Sequence, residues 1–292
     1  MQYIKGAFIN KEILLLIMSK CLKFIPFCLF FLFLFCSVNV KSFQDQDSES
    51  EETNENTVLI NRITSALNNS KILQSISENI QNKLSENQEF LIKLQEILLK
   101  DPYLWIFVDK EHPLDSNYEP NDLVELKNAA YVLNNVNLRL RSIAAASLEE
   151  MAAAAKKDGI TLIISSAHRS YVRQSQIYSQ HVKEMGVREA DKVSARPGFS
   201  QHQLGLTVDF GSITNDFAKT AQGIWLYKNA SRFGWSLSYP EGYENITGYS
   251  WESWHYRYVG IELAEFIDKY FNGIQHYALK FINEYINEEI KN

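Results

Sequence analysis

The chain predicts an α+β fold, a small antiparallel sheet with helices packed against it and a helical extension in front, and three observations carry that prediction. Apolar side chains recur at helical spacing through residues 58–100, alanine-rich residues 144–155 favour helix strongly, and residues 254–259 alternate as a strand does. With 292 residues, 46% of them hydrophobic, the chain is long enough for one large globular domain behind an N-terminal extension. A formal charge of -6 with no clustered Lys or Arg gives no support for a nucleic-acid partner.

Residues 24–40 are almost entirely apolar, with Lys20 and Lys23 before them and Lys41 after, which is the pattern of an export signal. Met18 is an alternative start that would leave a short basic stretch ahead of this segment. About 17 apolar residues also stand at the lower edge for crossing a bilayer, where about 20 are typical, so residues 1–41 read as a signal peptide or a membrane anchor. A lipoprotein at Cys36 is a third reading, poorly served by Phe35 before it. All three place the rest of the chain outside the cytoplasm, periplasmic or at the cell surface. Cys21, Cys28 and Cys36 all fall in or beside this segment, leaving the remainder with no cysteine for a disulfide or a metal.

Residues 42–57 are acidic and nearly free of apolar groups, the composition of a disordered linker. In 58–100 the spacing of Ile72, Ile76, Ile80 and Leu84, then Leu91, Leu94 and Leu98, predicts two or more amphipathic helices, with a break at residues 68–70. A single domain then occupies residues 101–292. Residues 123–157 read as one long helix ended by Asp158-Gly159, residues 160–164 as a short buried strand, and the segment after Arg169 as a helix through Gln180. The strand at 254–259 puts His255, Arg257 and Val259 on one face, and helices at 261–271 and 277–290 close the chain. Trp254 and Tyr256, on the opposite face, read as core.

Two late stretches concentrate the chemistry: Ser200-Gln201-His202-Gln203-Leu204-Gly205-Leu206-Thr207-Val208-Asp209 and Glu252-Ser253-Trp254-His255. Catalytic zinc takes three protein ligands from His and Asp or Glu and keeps a fourth position open, with a nearby carboxylate as base. His202, Asp209 and His255 fit the ligands, and Glu252 fits the base. Three residues separate Glu252 from His255, so a regular strand would send them to opposite faces, and Glu252 must lie on the preceding loop to reach the same metal. Asp209 as a mere turn residue is the weaker reading, since Gly205 lets the chain bend between the first two ligands.

The pattern SxHxxGxxxD followed by ExWH resembles the signature of the LAS metallopeptidases, and in particular the VanY-type D-alanyl-D-alanine carboxypeptidases. Residues 103–114 resemble that family's domain entry, Ser166-Ala167-His168-Arg169-Ser170-Tyr171 its SGYRSY stretch, and Tyr239-Pro240-Glu241-Gly242 its approach to the ExWHYRYVG run. The likeness spans roughly residues 102–273. Ala167-His168 replaces the usual Gly-Tyr, Thr207 a commoner alanine, and Ser253 a frequent proline. The resemblance implies the LAS/hedgehog-like zinc peptidase fold, a Zn2+ cofactor, and removal of terminal D-alanine from peptidoglycan stem peptides. It implies Glu252 as general base and Arg169 as the donor to the oxyanion, with Ser200, Gln174 and His168 on the substrate side. An L,D-carboxypeptidase, an endopeptidase, or a non-catalytic wall-binding module on the same scaffold are the alternatives; the presence of both Glu252 and Arg169 argues against the last.

Overall fold

The computed structural model describes residues 45–86 and 89–291, so the leader predicted at residues 1–41 lies outside the described residues. Among the described residues no helix is long and apolar enough to cross a membrane. Helices α1 (Asp45–Asn69), α2 (Gln74–Glu86) and α3 (Glu89–Leu98) form an N-terminal arm. α1 ends at the expected break, and Lys71 turns the chain with a φ of 52°. It begins earlier than the sequence predicts, because residues 45–57, read above as a disordered linker, continue the helix. Nucleation is the costly step of helix formation and propagation is not, so a helix anchored by the buried Ile63, Ala66 and Leu67 extends backwards.

Residues 123–157 depart further from expectation. They form three short strands, β1 (Leu123–Glu125), β2 (Val132–Leu133) and β3 (Arg139–Arg141), before helix α4 (Ser142–Lys157). The alanines that favour helix begin only at Ala144, whereas asparagines in the preceding stretch bond the backbone in other conformations. Asn128 Oδ1 accepts from the Leu133 N–H at 2.8 Å, Asn135 Nδ2 donates to the Ser165 carbonyl at 2.7 Å, and Asn137 is left-handed at φ 56°.

The main sheet has the order β2-β4-β5-β7-β6, with β4 (Ile163–Ser166), β5 (Thr207–Phe210), β6 (Trp235–Leu237) and β7 (His255–Tyr258). Its ladders are antiparallel as expected, except at the edge, where β2 runs parallel to β4; β1 and β3 form a separate antiparallel pair. Ala144, Leu148, Met151, Ala152 and Ala155 make one stripe of α4, buried in the same core as Ile164, Val208, Phe210 and Trp235. Helices α5 (Tyr171–Met185), α6 (Val187–Val193), α7 (Ala221–Asn229) and the one-turn α8 (Glu244–Thr247) fill the connections.

Two closing helices, α9 (Ile261–Tyr270) and α10 (Gln275–Lys291), share a second core with the arm. There Phe90 of α3 meets Phe266 and Tyr270 at 4.9 Å between ring centroids and Phe281 at 5.8 Å. Arg62 of α1 stacks on Tyr285 of α10 and donates to its carbonyl. The fully buried Arg257 of β7 ties sheet to entry loop, its Nη2 donating to the carbonyls of Leu104 at 3.1 Å and Ile106 at 2.9 Å.

Candidate metal centre and active site

Pairing of β5 with β7 sets Asp209 directly opposite His255, so both side chains leave one face of the sheet as cross-strand neighbours. His202 comes from the 3₁₀ turn Gln201–Leu204, which Ser200 caps by accepting the His202 N–H at 3.3 Å. Gly205 ends that turn at φ 70°, where a Cβ would meet Leu123 Cδ2 at 2.9 Å, and so lets the chain bend back into β5. The outcome is a buried triangle. His202 Nε2 lies 3.2 Å from Asp209 Oδ2, His255 Nδ1 lies 3.2 Å from Asp209 Oδ1, and one ligating atom from each residue falls within 4.8 Å of the others.

This arrangement fits a metal better than it fits a hydrogen-bond network. His202 Nε2 and Asp209 Oδ1 are buried and have no hydrogen-bond partner, although both lie at ion-pairing distance from a neighbour, so the atoms converge at angles wrong for hydrogen bonding. The outer contacts also set the imidazoles correctly. His202 Nδ1 faces the Ala167 carbonyl at 2.6 Å and must donate to it, which leaves Nε2 as the lone-pair side. His255 presents Nε2 to Gln201 Oε1 at 3.3 Å and turns Nδ1 to the triangle. Two imidazoles and a carboxylate with further access from a cavity are the donor set of a catalytic zinc.

Burial is the largest influence on the charge of each group. It lowers the His202 pKa to about 4, with the Arg169 charge adding to the effect. Burial opposes a charge on His255 as well, but Asp209 and Glu252 outweigh it and raise that pKa to about 9. Asp209 is held well below the usual carboxylate range, its two histidine partners overcoming desolvation.

Glu252 sits in the turn before β7, as the strand periodicity requires, and its Oε2 is 3.2 Å from His255 Nδ1. Arg169 follows β4 and bridges Asp209 Oδ2 at 3.3 Å and Gln174 Oε1 at 3.1 Å. Both open on a cavity of about 530 Å³ that His202, Asp209 and His255 also line. Ser200 and Gln174 lie on its wall. Gln174 is nevertheless committed to the protein, since its Nε2 donates to the Ala195 carbonyl at 2.7 Å while its Oε1 holds Arg169.

His168 is a correction. It does not line the cavity: its N–H bonds the Arg139 carbonyl and its ring lies in the field of Arg139 and Glu119, with burial lowering its pKa to about 4. His168 lies past the end of β4, where its backbone N–H is tied to the Arg139 carbonyl, and Arg169 after it is the residue of this stretch that reaches the cavity. Other wall residues escape sequence reasoning. His181, Ile213, Tyr249 and Trp251 line the cavity, as does Trp254, read above as core, and Tyr239 packs its ring 4.7 Å from His255. A visible signal existed for Tyr239, in the Tyr-Pro-Glu-Gly stretch, for Tyr249, in the Ile-Thr-Gly-Tyr stretch that follows it, and for Trp254, inside the ExWH motif.

A family profile for the D-alanyl-D-alanine carboxypeptidase VanY matches residues 137–261, which hold both ligand motifs and Arg169. The putative carboxypeptidase YodJ of Bacillus subtilis is 36% identical over 201 residues, covering 63% of this chain and 74% of that protein. The chain belongs to the VanY family of D-alanyl-D-alanine carboxypeptidases. A D-alanyl-D-alanine carboxypeptidase of Enterococcus faecalis is 33% identical over 195 residues, covering 63% of this chain and 66% of its own length. Among solved structures, the LdcB LD-carboxypeptidase, described with the molecular basis of its peptidoglycan recognition, superposes with a TM-score of 0.53 at 35% identity, over 60% of this chain and 89% of its own. A mutant of the vancomycin-resistance D,D-pentapeptidase VanY in complex with Zn(II) does so with a TM-score of 0.51 at 32% identity, over 63% and 99%. As a VanY-family member this protein is a metallopeptidase, a hydrolase of the LAS fold.

Proposed function

We propose that the protein removes the terminal D-alanine from peptidoglycan stem peptides, with zinc held by His202, Asp209 and His255, and that it does so outside the cytoplasm. The observation that carries this reading is the convergence of that buried triangle with Glu252 and Arg169 on one cavity of about 530 Å³. Zinc there supplies a Lewis acid and lowers the pKa of water towards neutrality. Glu252, beside the ligands without belonging to the triangle, takes the proton from the attacking water and returns it to the leaving amine. Arg169 donates to the oxyanion as the carbonyl is attacked, and Gln174 and Asp209 fix its guanidinium beforehand, so little reorganisation accompanies the reaction. Export rests on the apolar segment at residues 24–40 with its flanking lysines, and an uncleaved segment would anchor the enzyme to the membrane.

The test is incubation of the full chain with defined muropeptides, with and without a chelator, and mass spectrometry of the products. Loss of a single D-alanine from a free stem peptide, abolished by the chelator, is expected. Internal fragments, or a rate indifferent to amidation of the terminal carboxylate, would show an endopeptidase instead. Loss of D-alanine from the tetrapeptide rather than the pentapeptide would favour an L,D-carboxypeptidase, a reading that the likeness to the LD-carboxypeptidase structure supports. Cell fractionation with N-terminal sequencing tests the export.

A further inference from the structure

Behind His255, on the side away from the triangle, lies a chain of buried polar groups that the catalytic steps do not use. Gln201 Oε1 faces His255 Nε2 at 3.3 Å and also accepts from Ser238 Oγ at 2.7 Å. Gln201 Nε2 in turn donates to Gln275 Oε1 at 3.4 Å, Ser238 Oγ is 3.3 Å from the same oxygen, and Gln275 Nε2 donates to the Ser236 carbonyl at 3.1 Å. All three side chains are almost fully buried, Gln201 at 6% exposure, Ser238 at 2% and Gln275 at 1%. The gap beside them measures only about 10 Å³, room for at most one water, and the three side chains already pair with one another.

The bonds fix each group's orientation in turn. Gln275 gives its N–H₂ to a carbonyl and therefore shows its oxygen to Gln201; that oxygen calls for the Gln201 N–H₂; and the Gln201 oxygen is then left facing the imidazole. An acceptor at Nε2 keeps a proton on that atom, so that whenever the ring is neutral, as a metal ligand must be, its lone pair lies on Nδ1, the atom that points at Asp209. Gln275 is the first residue of α10, beyond the stretch matched by the family profile, and α10 is held by the arm through Arg62 on Tyr285 and Phe90 on Phe281.

We infer that Gln201, set by Ser238 and Gln275, is a positioning residue that selects the tautomer and aim of His255, so that the closing helix contributes directly to metal retention. The inference rests on the zinc reading above. Outer partners of a ligating histidine change metal affinity by about 10–100-fold when removed. Zinc affinity of the full chain, measured by competition with a chromophoric chelator, is therefore expected to fall by about that factor in Gln201→Leu, while Gln201→Glu, which keeps an acceptor at Nε2, stays within a few-fold of the parent. The metal-free melting temperatures show whether each variant folds. Unchanged affinity in Gln201→Leu would overturn the inference, and so would equal losses in Gln201→Leu and Gln201→Glu, which would mark a packing role. If Gln201→Leu does not fold, Ser238→Ala decides: it removes one donor to Gln201 Oε1, a several-fold loss of zinc affinity is expected, and no change overturns the inference. Since the readout is zinc alone, a parent chain that binds zinc but cleaves no muropeptide would sink the proposed activity, and the zinc affinities of the variants would still decide the relay.

Discussion

The interior around the sheet buries Arg141, Gln174, Gln201, His202, Gln203, Asp209, His255 and Arg257 among its apolar groups, whereas the helical half, residues 45–100 and 261–291, buries aromatic and aliphatic side chains with Ser70 and Gln275 as its polar members among the described residues. Buried polar groups destabilise unless every one is paired, and a charge more so. The sheet half therefore carries the cost of a preorganised site, while the helical half contributes packing with little polar burial to offset it. Gln275 is where they meet, the polar residue of the helical half that reaches a metal ligand through Gln201.

That contrast can be broken at each end. Glu252→Gln strikes chemistry alone: hydrolysis should fall by about 10²–10⁴-fold, the range of general-base catalysis, while metal analysis still finds zinc and the melting temperature stays put. Near-parent turnover would place the base elsewhere. Phe90→Ala strikes packing alone, because Phe90 is fully buried against Phe266, Tyr270 and Phe281. Urea unfolding should show a loss of about 3–5 kcal/mol. A loss under about 1 kcal/mol would mean that the arm is not part of the second core.

Within the sheet half, Ser147 Oγ accepts the indole N–H of the buried Trp235 at 3.0 Å and donates to the Phe233 carbonyl at 2.6 Å. Ser147→Ala leaves that N–H unpaired and should cost about 1–3 kcal/mol in the same measurement, against almost nothing for a serine whose bonds were optional.

A smaller effect separates the halves by pH. Burial lowers the pKa of His276, in α10, from the ordinary 6.5 to about 4. Between those values the unfolded chain binds a proton that the folded chain refuses, so stability is lost as pH falls from about 6.5 towards about 4. His276→Phe should remove one proton's worth of that slope in the metal-free protein; an unchanged slope would show His276 to be hydrated. His255, raised to about 9, has the opposite sign, its contribution being full below 6.5 and lost as pH rises through 9. The smallest expectation is none at all. His168→Tyr should leave the ratio of tetrapeptide to pentapeptide cleavage unchanged, since His168 lies outside the cavity, and a shifted ratio in the muropeptide assay would put it back on the wall.

Much of the site is legible in the sequence. His202, Asp209, His255 and Glu252 are recognisable because ligand chemistry needs particular side chains, and because short motifs on a turn and a strand constrain geometry over a few residues. The alternation around His255 is enough to put Glu252 on a loop, and Gly205 is enough to expect a bend between two ligands. Local propensity fails where long-range pairing competes with it: residues 123–141 join two sheets instead of extending α4, and the acidic stretch from Asp45 onward is drawn into a helix anchored further along.

Residue types and local spacing, then, determined the chemistry of this protein, its α+β class and the positions of its closing helices, since each depends on side chains a few positions apart. Tertiary structure alone decided which wall residues surround the metal, that His168 is not among them, and that Gln275 stands behind His255 through Gln201, 74 positions away in sequence. Those contacts are made by the relative placement of whole elements, and hydrophobic burial, which drives that placement, is non-directional and leaves no local pattern from which a pairing can be read.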